Sequence, residues 1–396
     1  MSPLRESVVC ALPRAVETRH DLHTHPELQY LETRTSGVVQ SWLTEIGVEF
    51  KGGLAGGTGV LGWLPATVNS GSAKTVALRA DMDALPILEN TGLAYKSVND
   101  GVMHACGHDG HTTILMTAAG ILSKLSERPN NIIFIFQPAE EGGAGGQRLC
   151  QEGALKGQII GKPADIIFGL HGYPAAEVGH VTTRNGPLLA AASQFNIHIE
   201  GKGSHAAYPH FGIDPIVVAA HIVTALQTVA SRSVNPLDSI VITIGQIVAG
   251  VAHNVIPDTA KLRGTLRALN DTTNDLGIRR IEEIASNVAS ALGAKAYVEW
   301  TGAYPVTFND PVATDEFRAV AKRVIGDSLL HEEPHPSMGG EDFSFYGLEI
   351  PASFFFLGLR PADKTSYPNL HSPEFDFNDN AIPTGVEVMC ELALNT

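Results

Sequence analysis

The pattern of apolar and polar positions predicts an α/β chain in two parts. Apolar residues recur at helical spacing over 12–28, 36–46 and 111–125. Between these helices stand short runs nearly continuous in Val, Ile and Phe, at 75–80, 131–136 and 165–169, as expected of parallel strands covered on both faces. The glycine-rich stretch 52–59 reads as a turn. From about residue 193 the rhythm changes. Residues 194–200 alternate as a strand, 214–231 form a helix, 239–248 and 260–268 are strands, 273–292 is a helix and 295–301 a strand. That β-α-β-β-α-β order is the ferredoxin-like unit. A helix at 311–325, a buried strand at 352–357 and a closing helix at 382–394 then resume the first pattern. The expected architecture is a discontinuous α/β domain with a mostly parallel mixed sheet, residues 1–186 and 302–396, interrupted by a second domain at 187–301.

The residues just beyond the buried runs carry the chemistry. The first run ends in Asp81-Met82-Asp83, the second in Gln137-Pro138-Ala139-Glu140-Glu141-Gly142-Gly143, the third in Leu170-His171-Gly172, and His371 lies beyond the strand at 352–357. Open α/β sheets bind ligands outside the carboxyl ends of their strands, so these side chains are expected to meet at one rim. The crossover after the first run holds Met103 to His111, with a thiol and three imidazoles in nine residues. Gly107 lets the backbone turn so that Cys106 and His108 converge, on the loop that opens the helix. His104 and His111 are expected to shape that loop and the helix start. A buried free cysteine with polar neighbours would account for one Cys and one His, but not for this density. His20, His23 and His25, before Pro26, are read as structural.

Cys106, His108, Glu141, His171 and His371 make a donor set of mixed sulfur, nitrogen and oxygen. Five protein ligands exceed what one catalytic zinc normally takes, so two divalent ions are expected, and the soft thiolate leaves zinc, manganese, cobalt or nickel open. Glu140 and Glu141 are adjacent on an irregular loop, so one can coordinate while the other faces the water as general base.

Composition narrows the partners. A formal charge of −15 argues against nucleic acid and anionic membrane surfaces. The longest apolar run, 215–230, is interrupted by His221 and Gln227 and reads as too short and polar to span a bilayer. The first 16 residues do not read as a signal peptide, and four scattered cysteines at 10, 106, 150 and 390 do not form a disulfide framework. A cytoplasmic location with reduced thiols is expected. The glycine-rich loop lacks a P-loop ending, which argues against a nucleotide site.

At this point the motifs match a known family. The chain resembles the M20 metallopeptidases, in the amidohydrolase branch that includes hippurate hydrolases, N-acyl-amino-acid amidohydrolases and auxin-conjugate hydrolases. The resemblance rests on residues 19–28, 79–86, 104–111, 137–141, 201–210, 253–258, 338–343 and 370–373, which span nearly the whole chain. It implies a catalytic zinc-peptidase-like domain interrupted by a ferredoxin-like lid, with Cys106, His108, Glu141, His171 and His371 as dinuclear ligands and Glu140 as general base. Many M20 peptidases have His-x-Asp where this chain has Asp81-Met82-Asp83, and a bridging Asp where it has Cys106. Asp81 is therefore not taken as a ligand, and Asp83 is expected to orient a ligand histidine. His205 resembles the residue that supports the oxyanion, Asn254 and Arg267 resemble contacts to the substrate carboxylate, and Gly339 and Gly340 resemble a loop approaching the substrate backbone.

The implied reaction is hydrolysis of the amide of an N-acyl or aryl-acyl amino acid by metal-activated water, in a homodimer or higher oligomer built through the lid. A dipeptidase or carboxypeptidase would use the same chemistry. Two other readings differ in kind: Cys106 as a nucleophile without metal, which leaves four strand-end donors unexplained, and a non-catalytic metal-dependent scaffold.

Overall fold

A computed structural model describes residues 3–396 except Asn69. The chain divides into two compact units, one of Met1–Leu188, Phe308–His335 and Asp342–Thr396, the other of Leu189–Thr307 and Pro336–Glu341. Both crossings fall a few residues later than the sequence pattern suggests, and the short Pro336–Glu341 stretch joins the second unit.

The first unit begins with helices α1 (Pro3–Thr24) and α2 (Thr33–Glu45) and a hairpin of β1 (Glu49–Leu54) and β2 (Gly59–Leu64). Then come β3 (Thr75–Asp81), α3 (His108–Ser123), β4 (Asn131–Gln137), α4 (Gly145–Glu152), β5 (Ile166–Glu177), β6 (Val181–Thr183) and β7 (Gly186–Leu189). The second unit follows as β8 (Ala191–Glu200), β9 (Ser204–His205), α5 (Pro215–Thr228), β10 (Ile240–Ala249), β11 (Val255–Ile256), β12 (Thr259–Ala268), α6 (Asp271–Ala291) and β13 (Lys295–Tyr304). The first resumes with β14 (Thr307–Asn309), α7 (Pro311–Ile325), β15 (Leu330–Glu332), α8 (Ser344–Gly347), β16 (Ala352–Arg360) and α9 (Ile382–Asn395).

The large sheet has the order β1-β2-β4-β3-β5-β16-β6-β15, parallel from β4 through β16. Every residue of β3 and β4 is buried, which explains why their sequences run apolar without alternating. The chain passes from β3 outward to β4 and then back across β3 to β5, so their carboxyl ends flank a point where the connections diverge. Helix α3 is buried throughout from His108 to Leu122. Its Gly110 is obligatory, because a Cβ there would lie 2.5 Å from the Phe377 ring.

Three sequence expectations change. The turn at 52–59 is the tip of a hairpin whose first strand already contains Gly52 and Gly53, a strand that glycine made unreadable. Strand β5 runs on to Glu177, so His171 projects from within a strand rather than past its end. Helix α3 starts at His108, which places that residue on the first helical turn and leaves only Cys106 on the loop.

In the second unit β10-β12-β8-β13 form an antiparallel sheet, with α5 and α6 packed on one face around Phe195, Ile197, Ile222, Leu262, Leu266 and Ile281. Asp214 caps α5 by accepting Ile216 N–H at 2.9 Å, and Asn270 caps α6 by accepting Thr273 N–H at 2.8 Å. A π-helical turn extends α5, so Pro215–Ser233 reaches 19 residues, with mean hydropathy 1.3 over an 18-residue window, long and apolar enough by length and composition to cross a membrane. That corrects the shorter reading of this run. Its Val218, Ala219, Ile222 and Leu226 are nonetheless buried within the unit.

Candidate metal centre

The β3 carboxyl end sets the site. Asp83, just beyond it, accepts the backbone N–H groups of Glu140 at 3.1 Å and Glu141 at 3.0 Å, and its Oδ1 stands 3.2 Å from His108 Nδ1. With Nδ1 so engaged, the buried His108 Nε2 has no hydrogen-bond partner. Gly107 takes φ 84° at the head of α3, the left-handed turn that a side chain disfavours, and brings Cys106 alongside. Cys106 Sγ lies 3.3 Å from His171 Nε2, while His171 Nδ1 donates to its neighbour Gly172 O at 2.8 Å, leaving the Nε2 lone pair facing the thiol. His371, at φ 64°, donates its backbone N–H to Ala105 O at 2.8 Å and places Nε2 3.2 Å from Glu141 Oε1.

Two triads result, Cys106 with His108 and His171, and Cys106 with Glu141 and His371, each with donor atoms within 4.8 Å of one another. They share the thiol. Glu140 joins His108 and Glu141 in a third such group, and its Oε1 lies 3.4 Å from Asp342 N. Burial raises the Cys106 thiol, and the nearby charges of Glu141, Glu140 and Asp81 raise it further. Burial holds His171 neutral, down to about 3, with His111 adding to the effect. Burial opposes charge on His108, yet Asp81, Asp83 and Glu141 overcome it and lift its pKa to about 10. A soft thiol among carboxylates, an imidazole nitrogen without a hydrogen bond and a neutral imidazole make a set that fits divalent cations of the zinc or manganese kind.

Asp81, His108 and His111 form a further cluster, but it is closed. Asp81 accepts from Arg79 at 2.7 Å and lies 2.7 Å from His111 Nδ1, whose Nε2 accepts Gly172 N–H at 2.8 Å. His111 thus holds the backbone beside His171. His104 is buried with neither ring nitrogen hydrogen-bonded, and burial lowers its pKa to about 3.

Sequence reasoning missed the frame around these groups. Arg19 and His23 of α1 are fully buried, and both reach Asp109, next to His108, at 3.1 and 2.9 Å. Arg19 also reaches Asp376 at 2.9 Å, on the segment that carries His371. The signal was present in the Arg19-His-Asp-Leu-His23 spacing, which puts both residues on one helix face. Glu32 is buried as well, and burial, with the Asp83 charge adding, raises its carboxyl to about 7. No motif marked it.

Among the remaining expected residues, the second unit holds two neighbouring pairs. His205 on β9 pairs with Val255 of β11, and Ala206 N donates to Asn254 O at 3.0 Å. Arg267 on β12 is half-buried, and a Cβ on Gly340 would lie 2.9 Å from its Nη1. Gly339 N donates to Ser337 Oγ at 3.0 Å in the same loop.

Known proteins share this arrangement of chain. The model for "Peptidase family M20/M25/M40" matches residues 77–395. N-acetyl-L-cysteine deacetylase of Bacillus subtilis is 40% identical over 365 residues, covering 92% of this chain and 83% of its own. IAA-amino acid hydrolase ILR1-like 4 of Arabidopsis thaliana is 39% identical over 386 residues, covering 96% and 84%. Among solved structures, the Bacillus subtilis YXEP protein, a dinuclear metal binding peptidase from the M20 family, superposes with TM-score 0.80 at 32% identity, covering 97% and 98%. With the family pattern running from β3 to the final helix, the chain belongs to peptidase family M20/M25/M40.

Proposed function

We propose that the protein hydrolyses the amide bond of N-acyl or aryl-acyl amino acids to a carboxylic acid and a free amino acid. The observation that carries this reading is the pair of donor triads sharing Cys106, with Glu140 in the same wall. Similarity to a deacetylase of N-acetyl-L-cysteine and to an IAA-amino acid hydrolase supports the substrate class.

In this reading Cys106, His108, His171, Glu141 and His371 would hold two divalent ions, zinc, manganese, cobalt or nickel. Bound there, the ions supply a lower pKa for water and polarise the amide carbonyl. Glu140 takes a proton from the attacking water and passes it to the nitrogen as the C–N bond breaks. Asp83 orients His108 through Nδ1. His205 supports the oxyanion, and Gly339 and Gly340 leave room for the substrate backbone. Asn254 and Arg267 take the substrate carboxylate. For Arg267 the support is electrostatic: burial alone lowers its pKa, with no acid among the described residues offsetting it.

The test is metal analysis of the purified protein, then reconstitution and side-by-side rates on N-acetyl, N-benzoyl and dipeptide substrates. Two ions per chain and fastest turnover of an N-acyl amino acid support the reading. Preference for dipeptides favours the second one, a dipeptidase or carboxypeptidase of the same chemistry, which the family's peptidase members support. We further propose a homodimer through the second unit, where Ile216, Val217, Ile247, Val248, Val251 and Val255 expose apolar side chains. Sedimentation as a monomer at micromolar concentration would exclude it.

A further inference from the structure

The loop that presents Glu140 and Glu141 is held by more than Asp83. Three successive backbone N–H groups enter it, from Ala139, Glu140 and Glu141, and each finds a carboxylate oxygen. Asp83 takes the second and third, at 3.1 and 3.0 Å. Glu32 takes the first: its Oε1 accepts Ala139 N–H at 2.9 Å, while Oε2 accepts the Thr58 hydroxyl at 2.7 Å. Glu32 and Ala139 are both fully buried, so water offers Ala139 N–H no substitute.

Ala139 is also strained. It sits at φ 57°, in the left-handed region that a Cβ disfavours. The turn closes tightly behind it. Gly145 N donates to Ala139 O at 3.2 Å, and a Cβ on Gly143 would come within 2.6 Å of the Ala139 Cβ. Tyr30, two residues before Glu32, donates its hydroxyl to Gly143 O. Residues 30–32 therefore brace both arms of the loop, at its entry through Glu32 and at its exit through Tyr30.

We propose that Glu32 is a positioning residue for Glu140 and Glu141: its carboxylate holds Ala139 N–H and so fixes the left-handed turn from which the two adjacent acids are presented. The proposal rests on the reading of Glu140 as base and Glu141 as metal donor. The next peptide after Ala139 carries Glu140, so relaxation of Ala139 to an ordinary backbone conformation swings that peptide and withdraws its N–H from Asp83. Productive geometry tolerates little such movement.

The experiment compares E32Q, E32L, E32D, A139G and the double variant E32L/A139G, with E140Q as control, in the metal-loaded full chain. The readouts are kcat and KM on an N-acyl amino acid that the parent cleaves, metal stoichiometry and thermal midpoint. E32L is expected to lose about tenfold to a hundredfold in kcat, the range for a buried donor left unsatisfied, with KM within about threefold and metal retained. E32Q, whose amide oxygen still accepts Ala139 N–H, is expected to stay within about fivefold of the parent. Glycine reaches φ 57° without strain, so A139G is expected to restore at least about fivefold of the kcat lost in E32L, a rescue that a merely structural role would not give. If E32L does not fold, E32D carries the test: it keeps the charge, falls one methylene short of Ala139 and should lose kcat as E32L does. A parent-like kcat in E32L or E32D, or equal damage in E32L and E32Q with no gain from A139G, overturns the proposal. An active E140Q overturns the reading beneath it, whereas an inactive E140Q beside a parent-like E32L overturns the positioning role alone.

Discussion

Asp83 and His108 are joined through Oδ1 and Nδ1 at 3.2 Å, both fully enclosed by protein. The contact engages Nδ1 and leaves Nε2 without a hydrogen bond, so in the proposed reading Asp83 orients the ring for a cation. Replacing Asp83 with Ala therefore loosens the histidine and both acid amides together. The expected outcome is a fall in metal affinity of about 10- to 100-fold, read by titration with a competing chelator. Unchanged affinity would rule out an orienting role for Asp83.

Glu140→Gln keeps the shape of the side chain and removes its basicity. We expect metal content unchanged and kcat lower by about 10²- to 10⁴-fold. Near-parent turnover with full metal occupancy would assign the base elsewhere.

His23 links metal-site architecture to pH. Burial opposes its charge, but hydrogen bonds with Asp109 and Glu89 outweigh burial and raise its pKa to about 9. A histidine raised above its unfolded value of about 6.5 adds stability that is complete below that value and is lost as pH rises through the folded value. Between about pH 6.5 and 9 the parent should therefore lose on the order of 3 kcal/mol more stability than His23→Gln. Denaturant midpoints at several pH values check this, and parallel pH profiles for the two proteins would contradict it.

Gly340→Ala tests the second unit. The added Cβ would lie 2.5 Å from the Ala192 Cβ and 2.9 Å from Arg267 Nη1, so the guanidinium must shift. If Arg267 holds the substrate carboxylate, KM should rise by about tenfold with a smaller change in kcat. A parent-like KM would separate Arg267 from substrate binding.

Much of this site was legible because its chemistry is local. Cys106, Gly107 and His108 declare themselves within three residues, and the buried strands β3 and β4 announce the rim by abrupt changes from Val and Ile to acids. What escaped notice is set by long-range contacts. Arg19 meets Asp109 across 90 positions and Asp376 across 357, and Glu32 meets Ala139 across 107. A lone buried Glu or Arg has no periodic signature, so only the fold reveals its partner. The sequence reading of His171 rests on an incomplete reason: the apolar run stops at Gly169 in the sequence pattern, yet the hydrogen-bonded ladder with β16 continues past it through His171.

The contact between His371 N and Ala105 O has a consequence for how the protein is made. A nascent chain emerging amino end first holds Cys106, His108, Glu141 and His171 long before the residue that completes the set leaves the ribosome, because the whole second unit is translated in between. The second triad thus closes only after the whole second unit has been made. A chain cut short before residue 371 would carry the first triad without the second.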